Sequence, residues 1–260
     1  MRHRPGNPTL VPVPPPAPVQ LSAHRCLTRQ AVDRALALDV DFVEFDVERC
    51  ADGTLVVFHD SVVEVGGEEV PLDSLSLDAL RAVVPDLMLY DEVLDALAGR
   101  RRAHLDLKFV GSCAEATARA VERLGADNLV VTTLDDDAVR EVRDWAEAHG
   151  HPDLLVGLSL GRRVTGFPVW RQLRVRASEV WPHLRYRQSR ANLVVAHHWL
   201  ARAGVAGFAR RRRLPLLVWT IDTPRSLRYW LRPGRAFLVT TNRPEEALAV
   251  RGRRTARMWG

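Results

Sequence analysis

Short apolar, β-branched runs alternate with amphipathic segments along most of the chain. The apolar runs cover residues 19–24, 41–47, 103–110, 128–134, 153–160, 191–199, 214–222 and 236–242. Helical periodicity is found between or after them, in residues 28–38, 112–124, 135–148, 201–213, 223–231 and 243–251. Such alternation is typical of a parallel sheet whose strands are joined by right-handed helical crossovers.

The number of apolar runs favours a closed sheet. Eight strand units are what a (β/α)8 TIM barrel requires. The alternative is an open doubly wound sheet, which usually has a glycine-rich phosphate loop after its first strand, and none follows residues 19–24. Residues 52–58, DGTLVVF, predict an extra strand after the second unit. The predicted fold is therefore an α/β TIM barrel with a small hairpin insertion after the second strand.

Length and composition set the domain limits. The chain has 260 residues, 47% of them hydrophobic, which suits one α/β barrel. Residues 1–18 contain seven prolines and predict a disordered or polyproline-like tail. We expect a single barrel domain over residues 19–251 and a basic tail over residues 252–260.

Charge and cysteine usage exclude several classes of protein. All but one of the 37 basic residues are arginines, and their dense runs, at 100–104, 209–214 and 251–257, have no interleaved aromatic residues, so no nucleic-acid partner is predicted. No apolar stretch approaches the roughly 18 residues of a membrane helix, and prolines occupy the place of a signal peptide's apolar run. The three cysteines are widely spaced, which indicates reduced thiols. We expect a cytoplasmic protein, and leave its oligomeric state open.

Two carboxylates interrupt the second apolar run. Glu44 and Asp46 lie two positions apart in VEFDV, so they share one face of the predicted strand while the apolar residues occupy the other. The outer face of a barrel strand meets helices, so these carboxylates are predicted to face the interior. Two anions this close either raise a pKa or recruit a cation. A pair of arginine salt bridges is the structural alternative.

The third apolar run repeats this spacing. Asp106 and Lys108 lie two positions apart in HLDLK, near the end of the run. A carboxylate there would converge with Glu44 and Asp46 from the adjacent strand, and three carboxylates suit a hard divalent cation, Mg²⁺ or Ca²⁺. Lys108 is the only lysine of the chain, which indicates a requirement for a compact ammonium as a point charge or proton donor.

Two histidines follow strand-like runs. His24 ends the first run in SAHR, and His59 follows the extra strand in FHD. A lone histidine is more often a hydrogen-bonded core residue, but two of them flanking a predicted metal site suit a general acid and base pair. Arg25 offers a fork of donors to a phosphate. This combination predicts in-line cleavage of a phosphate ester.

These motifs together resemble the glycerophosphodiester phosphodiesterase family, within the barrel superfamily that includes phosphoinositide-specific phospholipases C. The family pattern is H-R-G, P-E-N-T, G-A-D-x-x-E-x-D-V, D-G, H-D and later E-x-K. It is matched here by His24-Arg25, residues 41–47, Asp52-Gly53, His59-Asp60 and residues 106–108. The segments VWTID (218–222) and TTNRPEE (240–246) resemble the family's W-T-V-N and T-D-x-P, so the likeness spans nearly the whole chain after the tail.

The resemblance implies a role for each matched residue. It implies acid–base catalysis by His24 and His59, metal ligation by Glu44, Asp46 and Asp106, and phosphate contacts from Arg25 and Lys108. Trp219 would form the apolar wall of a small-molecule substrate's site, with a plain core tryptophan as the alternative. The implied reaction is metal-dependent hydrolysis of glycerophosphodiesters to glycerol phosphate and an alcohol.

Departures from the family pattern leave other functions open. Cys26 replaces the glycine after His-Arg, the P-E-N-T stretch is missing, Asp39 replaces a glycine, and Asp106 replaces a glutamate. The short first loop, D-x-K and T-N-x-P also resemble the spider-venom sphingomyelinase D branch, which acts on choline phospholipids. A phospholipase acting on a lipid headgroup is therefore one alternative, and an inactive barrel that binds a phosphorylated metabolite is another. We do not expect Cys26 to be a nucleophile.

Overall fold

The structure is a computed structural model that describes residues 17–161 and 168–258. Residues 1–16 of the predicted proline-rich tail lie outside the described residues. The described strands are β1 (Gln20–Ala23), β2 (Phe42–Arg49), β3 (Leu55–Val57), β4 (Val62–Val65), β5 (Glu68–Pro71), β6 (Arg102–Leu107), β7 (Leu129–Thr133), β8 (Leu155–Leu160), β9 (Leu193–His197), β10 (Leu216–Trp219) and β11 (Leu238–Thr241). Each of the eight predicted apolar runs overlaps one barrel strand.

The barrel is closed by eight parallel strands. Their order is β1-β11-β10-β9-β8-β7-β6-β2, and β1 pairs with β2 as well as with β11. Closure satisfies the backbone hydrogen bonds that an open sheet would leave exposed at its edge strands. The predicted (β/α)8 TIM barrel is confirmed.

Two hairpins follow the second barrel strand. β3 pairs antiparallel with β2, with Val47 opposite Val57, which confirms the extra strand predicted within residues 52–58. β4 and β5 form a separate antiparallel pair that the sequence analysis did not assign. Its turn contains Gly66 and Gly67 at φ values of 62° and 89°. A two-residue turn with both φ values positive strongly favours glycine, so the Gly-Gly pair was an available signal for this hairpin.

The described helices surround the barrel. They are α1 (Arg29–Ala37), α2 (Leu77–Val83), α3 (Tyr90–Leu97), α4 (Cys113–Leu124), α5 (Asp136–Ala148), α6 (Val169–Val180), α7 (His183–Ser189), α8 (His198–Leu200), α9 (Ala206–Arg212), α10 (Pro224–Trp230) and α11 (Pro244–Met258). A π-helical turn, Ala201–Val205, joins α8 to α9. The hydrophobic pattern did not assign α2, α3, α6 or α7. No helix in the described ranges is long and apolar enough to span a membrane.

The alternation of β2 separates two packing layers. Val43, Phe45 and Val47 are fully buried in the main core, where strand side chains of the outer face meet the helices. Phe42 belongs instead to a second buried cluster with residues of β7, β9, β10 and β11. Glu44 lies on the same strand face as Phe42, so the carboxylates point into the barrel as predicted.

The interior of the barrel tolerates little extra volume beside β8. A Cβ atom at Gly157 would lie 2.3 Å from Val195 Cγ2 and 3.1 Å from Leu193 Cδ2. Gly157→Ala is therefore expected to destabilise the protein by about 1–3 kcal/mol through overpacking, measured by urea unfolding. Adding Val195→Ala should recover part of this loss.

A matched substitution is available in α9. At Gly207 the nearest atom to a new Cβ is the flexible guanidinium of Arg211, at 3.2 Å, so Gly207→Ala should be neutral or slightly stabilising. Equal effects of the two alanine substitutions would contradict the packing account.

Candidate active site

Strand register brings three carboxylates together inside the barrel. β2 and β6 pair in parallel with Asp46 directly opposite Asp106 and Glu44 opposite His104. One carboxylate oxygen each of Glu44, Asp46 and Asp106 can be chosen so that all lie within 4.8 Å of one another. Glu44 and Asp46 are 2% and 1% exposed. The structure thus brings together all three residues that the resemblance implied as metal ligands.

Mutual repulsion and burial disfavour ionisation of two of these acids. Burial, and then the charges of Asp46 and Asp106, raise the pKa of Glu44 well above its usual range. Burial also raises the pKa of Asp46, although the Lys108 ammonium opposes this. For Asp106 the balance is reversed: burial opposes ionisation, but Lys108 and a hydrogen bond from Thr132 together lower its pKa. The cluster therefore has too little positive charge nearby for all three acids to ionise easily.

Lys108 supplies the one ammonium of the chain to this cluster. Its Nζ lies 2.8 Å from Asp46 Oδ1 and also donates to Asp106 Oδ2. Burial alone would lower the pKa of Lys108, but these two carboxylates raise it. The residue assigned from the resemblance to phosphate binding thus contacts two acids in this structure. A direct phosphate contact from Lys108 stays a prediction.

The donor set fits a hard divalent cation. Asp46 Oδ2 is buried and has no hydrogen-bond partner among the described residues. Buried polar atoms are normally paired, so an unpaired oxygen on one of three clustered carboxylates requires an explanation. Oxygen donors in this number suit Mg²⁺ or Ca²⁺, with other positions open to water or substrate. Glu44, Asp46 and Asp106 are therefore the residues that could hold such an ion.

His24 is held as a neutral imidazole at the end of β1. Its Nδ1 is 2.8 Å from Asn242 Oδ1, and Asn242 Nδ2 donates to Asp222 Oδ2 at 2.7 Å. Because a carboxylate accepts, the amide oxygen must face His24, so Nδ1 carries the proton. Burial lowers the pKa of His24 to about 4. The unprotonated Nε2 lies 3.9 Å from Glu44 Oε2.

Arg25 and His59 form the other side of the site. His59 Nδ1 is 2.7 Å from Asp60 Oδ1, and Arg25 Nη2 donates to His59 Nε2 at 2.5 Å. The Arg25 backbone has a left-handed φ of 54°, and its N–H donates to Glu44 Oε2 at 2.5 Å. The loop after β1 is therefore tied to β2, which positions the guanidinium beside His59.

Trp219 lies at the end of β10, half-buried against the interior cluster. Its ring meets the His197 ring edge-on, with centroids 5.4 Å apart and planes at 90°. Its Nε1 is buried without a hydrogen-bond partner in the described part of the chain. The ring thus fills space in the barrel, and a role as a substrate wall stays a prediction.

Sequence reasoning missed several polar residues around the acids. Asn242 and Asp222 orient His24, and their signal was the T-N-R-P and W-T-I-D motifs. His104 is 4% exposed, contacts Thr132 Oγ1 at 3.2 Å, and has a pKa lowered to about 4 by burial. Glu48 continues the inward alternation of β2, and burial raises its pKa to about 7.

Cys26 has no nucleophilic character in this environment. It is 4% exposed, and burial together with the nearby Glu44 charge raises the pKa of its thiol to about 12. The nucleophile in thiol chemistry is the thiolate. All three cysteines are free and buried, which agrees with the predicted reduced thiols.

The Lys108 contacts generate a stability prediction. Lys108→Met leaves buried carboxylates without their counter-charge and should lower the free energy of unfolding by about 3 kcal/mol at pH 7 in EDTA. Because Asp106 has a lowered pKa, its share of this contribution is present above the usual aspartate pKa and is lost as the pH falls through the lowered value. Urea unfolding at pH 7 and in acid would measure both effects.

Arg190 provides the matched control. It also contacts two carboxylates, Asp144 and Glu147, but it lies at the exposed surface. Exposed ion pairs contribute little, so Arg190→Met should change stability far less. Equal losses for the two variants would contradict the counter-charge role of Lys108.

Comparisons with known proteins give a family and a fold. The model of the glycerophosphoryl diester phosphodiesterase family matches residues 24–104. A sequence search of curated proteins gave no match. The matched range, residues 24–104, includes His24, Arg25, Glu44, Asp46 and His59, and Asp106 and Lys108 follow shortly after it.

Solved structures with a similar fold include the following three. A Silicibacter pomeroyi protein described as a glycerophosphoryl diester phosphodiesterase is 20% identical, with a TM-score of 0.73 over 93% of this chain and 95% of its own. A Parabacteroides distasonis glycerophosphodiester phosphodiesterase is 18% identical, with a TM-score of 0.69 over 91% and 98%. An Oleispira antarctica phosphodiesterase, solved with its product sn-glycerol-3-phosphate, is 16% identical, with a TM-score of 0.64 over 90% and 96%.

At these identities the structural likeness establishes the fold, and the family match rests on the sequence of residues 24–104. The resemblance found in the motifs is thereby confirmed. Residues 24–104, which supply most of the site, match the model of the glycerophosphoryl diester phosphodiesterase family, and the chain forms a closed (β/α)8 barrel.

Proposed function

We propose that the protein hydrolyses glycerophosphodiesters to glycerol phosphate and an alcohol, and that it requires a divalent cation. The observation that carries the proposal is the group of three carboxylates within 4.8 Å, with His24 Nε2 3.9 Å from Glu44 Oε2 and with His59 in contact with Arg25. The family match and the product bound to the Oleispira antarctica phosphodiesterase support a small phosphodiester as substrate.

The cation would be held by Glu44, Asp46 and Asp106. When bound, it would supply positive charge to non-bridging oxygens of the substrate phosphate. Lys108 would favour the ionised forms of Asp46 and Asp106, because its Nζ contacts both carboxylates. The Arg25 N–H would orient Glu44 through its hydrogen bond to Oε2.

His24 suits the role of general base. Asn242 fixes the proton on Nδ1, and the lowered pKa keeps the ring neutral at physiological pH. Its Nε2 lone pair is therefore available to accept a proton from the attacking hydroxyl, whether of water or of the substrate's own glycerol. Attack by water gives direct hydrolysis, and attack by the substrate's own glycerol hydroxyl gives a cyclic phosphate.

His59 suits the role of general acid. Asp60 accepts a hydrogen bond from Nδ1 and would stabilise a positive charge on the ring. A substrate phosphate would compete for the Arg25 guanidinium, which has the planar donor fork that phosphates accept. Release of His59 Nε2 from Arg25 would leave it able to carry the proton that the departing alkoxide needs.

The proposal is tested by assaying glycerophosphocholine, lysophosphatidylcholine and sphingomyelin side by side, with Mg²⁺, Ca²⁺ or EDTA. We expect glycerol phosphate from glycerophosphocholine, and none in EDTA. A preference for sphingomyelin would instead support the headgroup phospholipase. No hydrolysis of any substrate under all conditions would support the binding barrel and contradict the proposal.

The division of labour between the histidines is tested with a second leaving group. His24→Ala and His59→Ala should each lower turnover of glycerophosphocholine by about 10²–10⁴-fold. On a p-nitrophenyl phosphodiester, whose leaving group needs no protonation, only His59→Ala should recover. His149→Ala, at the exposed end of α5, is the control and should keep normal turnover. Equal defects of both variants on both substrates would contradict the division.

A further inference from the structure

Helix α6 presents an apolar stripe to solvent. Trp170 and Leu173 are both 66% exposed, and Trp181, which caps the helix, is 70% exposed. Ala177 between them is also exposed. The spacing of three, four and four residues places these side chains on one face of a helix. Monomeric soluble proteins rarely expose contiguous apolar patches, so this face indicates a binding surface.

Helix α6, which carries this stripe, and the following helix α7 are rich in arginine. Residues 169–190 contain six arginines and one acidic residue. Acids of α5 pair with two of these arginines, since Arg185 contacts Asp136 and Arg190 contacts Asp144 and Glu147. The acidic residue, Glu179, is buried and pairs with Arg176 at 2.6 Å. Arg174 and Arg187 are exposed. No acidic side chain is therefore exposed within this stretch.

A series of ring contacts connects α6 to the mouth of the barrel. The Arg176 guanidinium lies 5.2 Å from the centre of the Trp199 ring, and Trp199 itself is 41% exposed. The Trp199 and His197 ring centres are 6.1 Å apart, and His197 meets Trp219 edge-on. These contacts link α6 to the carboxyl ends of β9 and β10.

We propose that the Trp170–Leu173–Trp181 face of α6 docks on an anionic lipid membrane surface. Tryptophan and leucine on one side of a short helix, with arginines beside them, are the features of a helix that lies in the membrane interface. Anionic headgroups complement the exposed Arg174 and Arg187 of helices α6 and α7, whereas a second copy of the chain would bring the same positive charge to the contact. The inference does not depend on the proposed reaction.

Vesicle co-sedimentation tests this docking. We expect the protein to bind vesicles of phosphatidylcholine mixed with phosphatidylglycerol, and to bind pure phosphatidylcholine vesicles at least about tenfold more weakly. Raising the salt from about 0.1 M to about 1 M should weaken binding, because the Debye length falls from about 10 Å to about 3 Å. Leu173→Glu and Trp170→Ser should each reduce binding at least about tenfold.

Val83→Glu is the matched control, since Val83 is an exposed apolar residue of α2, far along the chain from this face. It should bind vesicles like the wild type, and all variants should keep normal activity on a water-soluble phosphodiester. No vesicle binding, or binding that Leu173→Glu leaves unchanged, would overturn the proposal. A dimer in solution that Leu173→Glu dissociates would also overturn it, because a second copy would then cover the face.

Discussion

The structure depends on placing three carboxylates close together in the interior of a barrel. Glu44, Asp46 and Asp106 lie within 4.8 Å, and neither of the first two has more than 2% exposure. Burying like charges is costly unless they are neutralised or paired. One lysine contacts two of the acids, so three clustered carboxylates share a single ammonium. The remaining negative charge is what makes the cluster suited to a divalent cation.

The surrounding structure holds this cluster in place. The parallel register of β2 and β6 sets Asp46 opposite Asp106, and Thr132 on β7 donates to Asp106 at 2.7 Å. The loop after β1 donates its Arg25 N–H to Glu44. Elements that lie far apart in the sequence therefore restrict each acid to one orientation, as a site that binds an ion and a phosphate requires. The same loop positions His24 and the Arg25 guanidinium, so it supports both the proposed catalytic residues and the acid cluster.

Much of this arrangement follows from local sequence rules. The period of two in a strand puts Glu44 and Asp46 on one face, and the alternation of runs and helices gives the barrel. The rest depends on contacts between distant residues. Whether Lys108 contacts a phosphate or two acids is decided by strand register, and the chain from Asp222 through Asn242 to His24 joins residues more than 200 positions apart in sequence. Helix α6 lacks the core-facing apolar stripe that marks a helix in a sequence, because its Trp170 and Leu173 face solvent.

Calorimetric titration of the EDTA-treated protein with Mg²⁺ and Ca²⁺ tests the central claim most directly. The account predicts one cation per chain, with release of protons wherever Glu44 is protonated in the ion-free protein, because the pKa of that carboxyl is raised. Titrations in two buffers of different ionisation enthalpy measure that release. Asp46→Asn should abolish binding, while Glu48→Gln, a buried acid two residues further along β2, should preserve it. Absence of binding, or equal binding by wild type and Asp46→Asn, would contradict the account.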